Sequence, residues 1–189
     1  MIGFFQHIIR YTRLTSDEFL SLVPFLEVIK VPKKTKFVAY GDQSIYCYFV
    51  LEGLVYVQYE GSQGEICITT FVSENEWVNS GLYDFERSLS LYEYVSVEHS
   101  TLIRIKKGDL KMILERYPSL HFYFGKCQDY RNYKLDIAKI SHSVNKSTTR
   151  FELFKNGYEH LLDRIPLQLV ASYLNMKPET LSRSKRKNK

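Results

Sequence analysis

Thiols are scarce in this 189-residue chain: Cys47, Cys67 and Cys127 are odd in number and far apart. They can form neither a disulfide framework nor a four-thiolate metal site within one chain, so buried reduced thiols are expected. Long apolar runs are also missing, because charge soon interrupts each one, and no membrane partner is expected. The start, Met1-Ile-Gly-Phe-Phe-Gln-His7, lacks the basic and then apolar regions of a signal peptide, so a cytoplasmic location is expected. His7, His99, His121, His142 and His160 are scattered with no His-x-His pair, which leaves no metal site of the kind cupin enzymes build. Gly-x-Ser-x-Gly, Walker and Gly-x-Gly-x-x-Gly motifs are absent too, and the chain reads as a non-enzyme with no metal.

What is present is concentrated at the end. Five of the seven residues from Arg183 to Lys189 are basic, and the rest of the chain carries as many acidic as basic side chains. The tail therefore supplies the whole net charge of +5, as a phosphate-binding surface would. Just before it, Leu167, Val170, Ala171 and Leu174 fall at helical spacing, and Pro166 suits a first helical turn. Asn175 tolerates a left-handed turn, and Pro178 starts a second helix carrying Glu179, Thr180, Leu181 and Arg183. Two short helices around a tight turn match the helix-turn-helix that places its second helix in the DNA major groove. Double-stranded DNA is the expected partner, met by Lys177, Glu179, Thr180, Ser182, Arg183, Lys185, Arg186 and Lys187.

Upstream, residues 4 to 23 look helical, with Thr15 or Ser16 as N-cap. Short β-type runs follow at 25–31, 36–38, 46–52, 54–59, 66–71 and 92–105, divided by Gly41-Asp42, Gly53, Gly61-Ser62 and Gly64. They predict an antiparallel sandwich or roll. From Ser119 to about Ser141 a long amphipathic segment carries Leu120, Tyr123, Phe124, Cys127, Tyr130 and Ile137 along one stripe, opposite Lys126, Asp129, Arg131, Lys134 and Lys139. The stripe could cover the roll or pair with a second copy; the two-fold habit of the motif favours a homodimer through these six residues. A polar linker at 141–147 leads to a helix over 149–162, whose Phe151, Phe154, Tyr158, Leu161 and Leu162 would form a core beneath the helix-turn-helix. The fold class is α+β, divided into a β-roll sensing domain at 1–118, a dimerisation helix at 119–142 and a DNA-binding domain at 143–189.

In this order of parts the chain resembles the cyclic-AMP receptor protein/fumarate-nitrate regulator (Crp/Fnr) family of bacterial transcription factors. Two segments carry the resemblance: Val31-Pro-Lys-Lys-Thr-Lys-Phe37 with Gly41-Asp42 and Tyr48 to Val55, and Arg164-Ile-Pro166 with Ala171 to Leu174 and Pro178 to Arg183. It implies a double-stranded β-helix (jelly-roll) domain like those that bind cyclic nucleotides, a bacterial cytoplasmic setting, RNA polymerase as a further partner, and base reading by Glu179 and Arg183. Four residues apart on one helical face, these two could meet a cytosine amino group and a guanine edge. Ser184 stands where the family carries an apolar anchor.

The resemblance also implies an effector cavity, here lined by Glu76, Trp77, Asn79, Tyr83, Arg87, Ser88 and Ser90. The family's cyclic-nucleotide binders use Gly-Glu for the ribose and Arg followed by a small residue for the phosphate. Here Asn75 precedes Glu76, and the only nearby Arg-small pair is Arg87-Ser88, whereas counting back from the strand at Ser100 places the phosphate position nearer Ser90 or Leu91. A buried phosphate without a fixed cation is poorly compensated, so cyclic AMP is disfavoured. An iron–sulfur cluster is disfavoured as well, since no thiol precedes Cys47. The expectation is a sequence-specific transcriptional regulator under an unidentified effector. The alternative is a ligand-binding or interaction module with a weak DNA-binding end.

Overall fold

A computed structural model describes residues 1–78 and 89–187. Two short helices, α1 (Ile2–Ile9) and α2 (Ser16–Leu22), precede seven strands: β1 (Glu27–Val31), β2 (Lys36–Val38), β3 (Tyr46–Glu52), β4 (Val55–Glu60), β5 (Ile66–Val72), β6 (Glu93–Ser96) and β7 (Ser100–Lys106). Helices α3 (Lys107–Arg116), α4 (Leu120–Ser143), α5 (Ser147–Tyr158), α6 (Leu167–Tyr173) and α7 (Pro178–Lys187) complete the chain. The strands form two antiparallel sheets, ordered β1-β7-β3 and β2-β6-β4-β5, which face each other as a roll.

Three predicted boundaries differ. The stretch 4–23 is two helices, because Thr15 caps α2 in a reciprocal capping box with Glu18 and so ends one helix before starting the next. The run 92–105 is two strands, β6 and β7, that belong to different sheets. Most of the expected linker at 141–147 is helical, leaving only Val144 to Lys146 between α4 and α5.

Three cores follow from how the strands alternate. Val50, Val55, Val57, Val72, Tyr94 and Leu102 point between the sheets. Cys47, Phe49, Ile103 and Ile105 point outward from the first sheet and are covered by α1, α2, α3 and the start of α4. Leu54, Ile68, Phe71 and Val97 point outward from the second sheet into a core built by α5, α6 and α7. Both faces of the roll are thus buried, which is why β3 reads as a nearly continuous apolar run. Gly53 turns the chain from β3 to β4 at φ 104°, where a Cβ would lie 2.7 Å from the Ser100 Cα.

Of the three thiols, only Cys47 is buried; Cys67 and Cys127 are partly so. Burial pushes the Cys47 thiol up to about 12 and that of Cys127 up to about 11, so neither is a thiolate at neutral pH.

Candidate nucleic-acid interface

Helix α6 ends at Tyr173, and the chain reverses through Leu174 to Lys177 before α7 begins at Pro178. Asn175 takes the left-handed conformation at φ 50°, and the Met176 N–H returns to the Ala171 carbonyl, so the orphan carbonyls of α6 are partly satisfied by the turn itself. Pro166 lies one residue earlier than predicted, as the N-cap of α6. The turn is held from below: Arg150 of α5 donates to the carbonyls of Val144 and Leu174, and His142 of α4 contacts the Tyr173 carbonyl at 2.7 Å.

Helix α7 is strongly two-sided. Leu181 is fully buried beneath it, and Ser184 is also buried, with its hydroxyl 3.0 Å from both the Ser147 hydroxyl and the Thr180 carbonyl. A short polar side chain thus replaces the apolar anchor without leaving an unmet hydrogen bond. The opposite face carries Glu179, Thr180, Arg183 and Arg186, all exposed; Lys177 is exposed at its head and Ser182 is half-buried at its side. Lys185 is exposed but leans toward the Phe151 ring, 5.8 Å from its centroid. Lys187 is the last helical residue.

The six residues expected at a dimer seam lie elsewhere. Leu120, Tyr123, Phe124 and Ile137 are buried within the chain itself; the first three join the core outside the first sheet. Cys127 is half-buried, and only Tyr130 is exposed. The stripe covers the roll, which was the other reading of its pattern, and its buried members have no surface left for a second copy. The exposed face of α4 instead carries Phe122, Tyr133 and Ile140.

Lys134, expected on the polar side, is 2% exposed. Its ammonium lies 2.6 Å from the Glu76 carboxylate, donates to the Phe71 carbonyl and sits 4.8 Å from the Tyr158 ring centroid. Burial lowers its pKa, and Glu76 works against that shift. Glu76, expected among the residues lining the effector cavity, is therefore already engaged. Trp77 is buried and donates to the Tyr123 hydroxyl, and Ser90 is bonded back to Tyr92 within its own turn. Asn79, Tyr83, Arg87 and Ser88 lie outside the described residues.

A second ion cluster went unread in the sequence. Arg164, after α5, forks onto Glu74 at 2.7 and 3.0 Å and also reaches Glu98, tying the helical end to two turns of the roll. Burial raises the Glu74 carboxyl, but hydrogen bonds from Arg164 and the Gly53 N–H outweigh this and hold it below its ordinary value. Among the described residues, no group of three or more His, Cys, Asp and Glu side chains could hold a metal ion, and no helix is long and apolar enough to cross a membrane.

No protein-family profile matches the chain, and no curated protein sequence matches it. Solved structures do. Over 92% of its length the chain is similar to the c-di-GMP responsive global regulator CLP of Xanthomonas campestris, covering 91% of that chain at a TM-score of 0.75 and 15% identity. Over 86% it is similar to FixK2 from Bradyrhizobium japonicum, covering 83% of it at TM-score 0.74 and 13% identity. Over 94% it is similar to a mutant of CooA from Carboxydothermus hydrogenoformans, covering 86% of it at TM-score 0.72 and 12% identity. At such low identity the likeness is one of fold.

Proposed function

We propose that this chain, which has the fold of the Crp/Fnr regulators, is a sequence-specific DNA-binding transcriptional regulator controlled by an effector other than a cyclic nucleotide. One observation carries the reading. Helix α7 is anchored by Leu181 and Ser184 and presents Glu179, Thr180, Arg183 and Arg186 outward, with Lys177 at its N-terminal end. That is the disposition of a recognition helix, whose N-terminal residues reach base edges while flanking cations meet phosphates. RNA polymerase is the partner through which such a protein would act. The engagement of Glu76 by Lys134 supports excluding cyclic nucleotides, because a ribose would have to displace a buried ammonium.

Fluorescence anisotropy with labelled duplex pools tests the reading. Affinity should fall steeply with salt. Arg183→Ala should cost roughly 1–3 kcal/mol and relax preference at one base position. Lys177→Ala and Arg186→Ala should weaken binding to every sequence and shallow the salt slope by about one unit each. Binding that is absent, or indifferent to salt, would leave an interaction module as the better description.

The working unit is proposed to be a homodimer through the exposed face of α4. Phe122, Tyr133 and Ile140 are spaced by 11 and then 7 residues, which is near whole helical turns, and they line one side of a helix about 36 Å long. Tyr133→Glu with Ile140→Glu should give folded monomers by light scattering, whereas Phe124→Glu should unfold the chain because Phe124 lies in its own core. A wild type that is monomeric at micromolar concentration would overturn this assembly. A two-fold dimer would read half-sites about 34 Å apart.

A further inference from the structure

A cleft of about 360 Å³ lies between α4 and the loop from Ser73 to Trp77, and is lined as well by Thr70 and Val72 of β5, His7 of α1, Tyr11 and His160. Its charges do not cancel. Glu76 is engaged by Lys134 and Glu74 by Arg164. Among the described residues no carboxylate lies within ion-pair distance of Arg131, and its one hydrogen bond runs from Nη1 to the Val78 carbonyl at 3.0 Å. A guanidinium has five N–H donors, so among the described residues most of those on Arg131 meet no protein acceptor. Burial depresses its pKa, yet arginine is too basic to discharge at neutral pH. A half-buried, permanently charged fork beside an open cavity is a ready counter-ion for a carboxylate or phosphate.

We propose that this cleft binds a small organic anion, with Arg131 holding its carboxylate or phosphate group. Lys126 stands at the mouth as a second cation, with Asp129 3.6 Å away as a loose, exposed partner. Trp77, Tyr11 and Tyr130 supply aromatic walls, which fit an organic body better than a bare inorganic ion. His7 adds no charge: burial and then Arg10 lower its pKa, and its Nδ1 is 3.1 Å from the Tyr123 hydroxyl. The loop that walls the cleft also carries Glu74, the residue through which Arg164 ties the helix-turn-helix end to the roll, so occupancy and DNA reading share one segment. Binding itself does not depend on the DNA-reading proposal.

Trp77 is the only tryptophan and lines the cleft, so its emission reports occupancy without DNA. The full chain would be titrated with phenyl phosphate and with benzoate, using inorganic phosphate and matched sodium chloride as references; the two organic probes separate phosphate from carboxylate preference. We expect a saturable change with Kd below about 1 mM for at least one organic probe, weakened roughly tenfold by Arg131→Gln. Lys126→Glu, at an exposed position that does not threaten folding, should weaken it about threefold and so carries the test if Arg131→Gln fails to fold. Lys33→Gln, exposed in the turn between β1 and β2 and not among the cleft's lining residues, should leave it unchanged. No saturable change up to about 10 mM, or equal affinity in the Lys126 variant and wild type, would overturn the proposal.

Discussion

Glu76→Ala is expected to destabilise the folded chain by about 3–5 kcal/mol, because it leaves the Lys134 ammonium buried with only the Phe71 carbonyl and two tyrosine rings for company. The loss comes from stranding a charge and does not measure the worth of the pair. Replacing both members, as Glu76→Leu with Lys134→Met, should restore stability to within about 1 kcal/mol of wild type or better, since the desolvation penalty disappears with the charges. The sign of the pH dependence gives a second check. In Glu76→Ala the folded lysine titrates below its ordinary value of 10.5, so between the two values the unfolded chain binds more protons and stability rises with pH. Urea unfolding followed through Trp77 would measure both. A single-variant loss under about 1 kcal/mol, flat with pH, would mean that water reaches Lys134 in solution.

Lys134 also shows where reading the sequence stopped short. By spacing it belongs inside, since Leu120, Tyr123, Cys127, Tyr130, Lys134, Ile137 and Ser141 recur every three or four residues, and the structure buries it. By charge it belongs outside, and charge decided the expectation. Long ionised side chains are almost never fully buried unless paired, and the partner, Glu76, lies 58 residues away. No local pattern could supply it. The same holds for Arg164, whose partners Glu74 and Glu98 sit 90 and 66 residues earlier in turns that look solvated in sequence.

What was legible was local. The helix-turn-helix rests on contiguous signals, namely helical spacing over Leu167 to Leu174, a left-handed Asn175 and Pro178 at the start of a helix, and α6 and α7 appear where those signals place them. The strands of the roll were legible from their punctuation, as at Gly53. The role of the stripe on α4 was not, because an apolar face declares that it will be covered without naming the cover. Either a second copy or the chain's own roll would satisfy Tyr123 and Phe124, and the roll does.

Phe71→Ala is expected to cost about 3–5 kcal/mol and to lower the melting temperature by roughly 6–20 °C. Phe71 stands on β5 of the roll, yet its ring is fully buried among Phe154, Tyr158 and Tyr173 of the helical end, with centroids 5.6–6.1 Å away. Its main chain is held in the same place, the carbonyl accepting from Lys134 and the N–H facing the Tyr158 hydroxyl. The helix-turn-helix therefore does not own its core: Leu54, Ile68 and Phe71 are lent by the roll. A shared core implies that wild type unfolds in one transition, since neither part can leave without exposing the other's aromatics. Truncating Phe71 should weaken that coupling and, under the proposed function, lower DNA affinity without any change on the exposed face of α7, because α7 rests on α5 and α5 rests on Phe71. Calorimetry would separate the outcomes. Two transitions in the wild type, or a loss below about 1 kcal/mol in the variant, would mean that the roll and the helical end are only loosely joined.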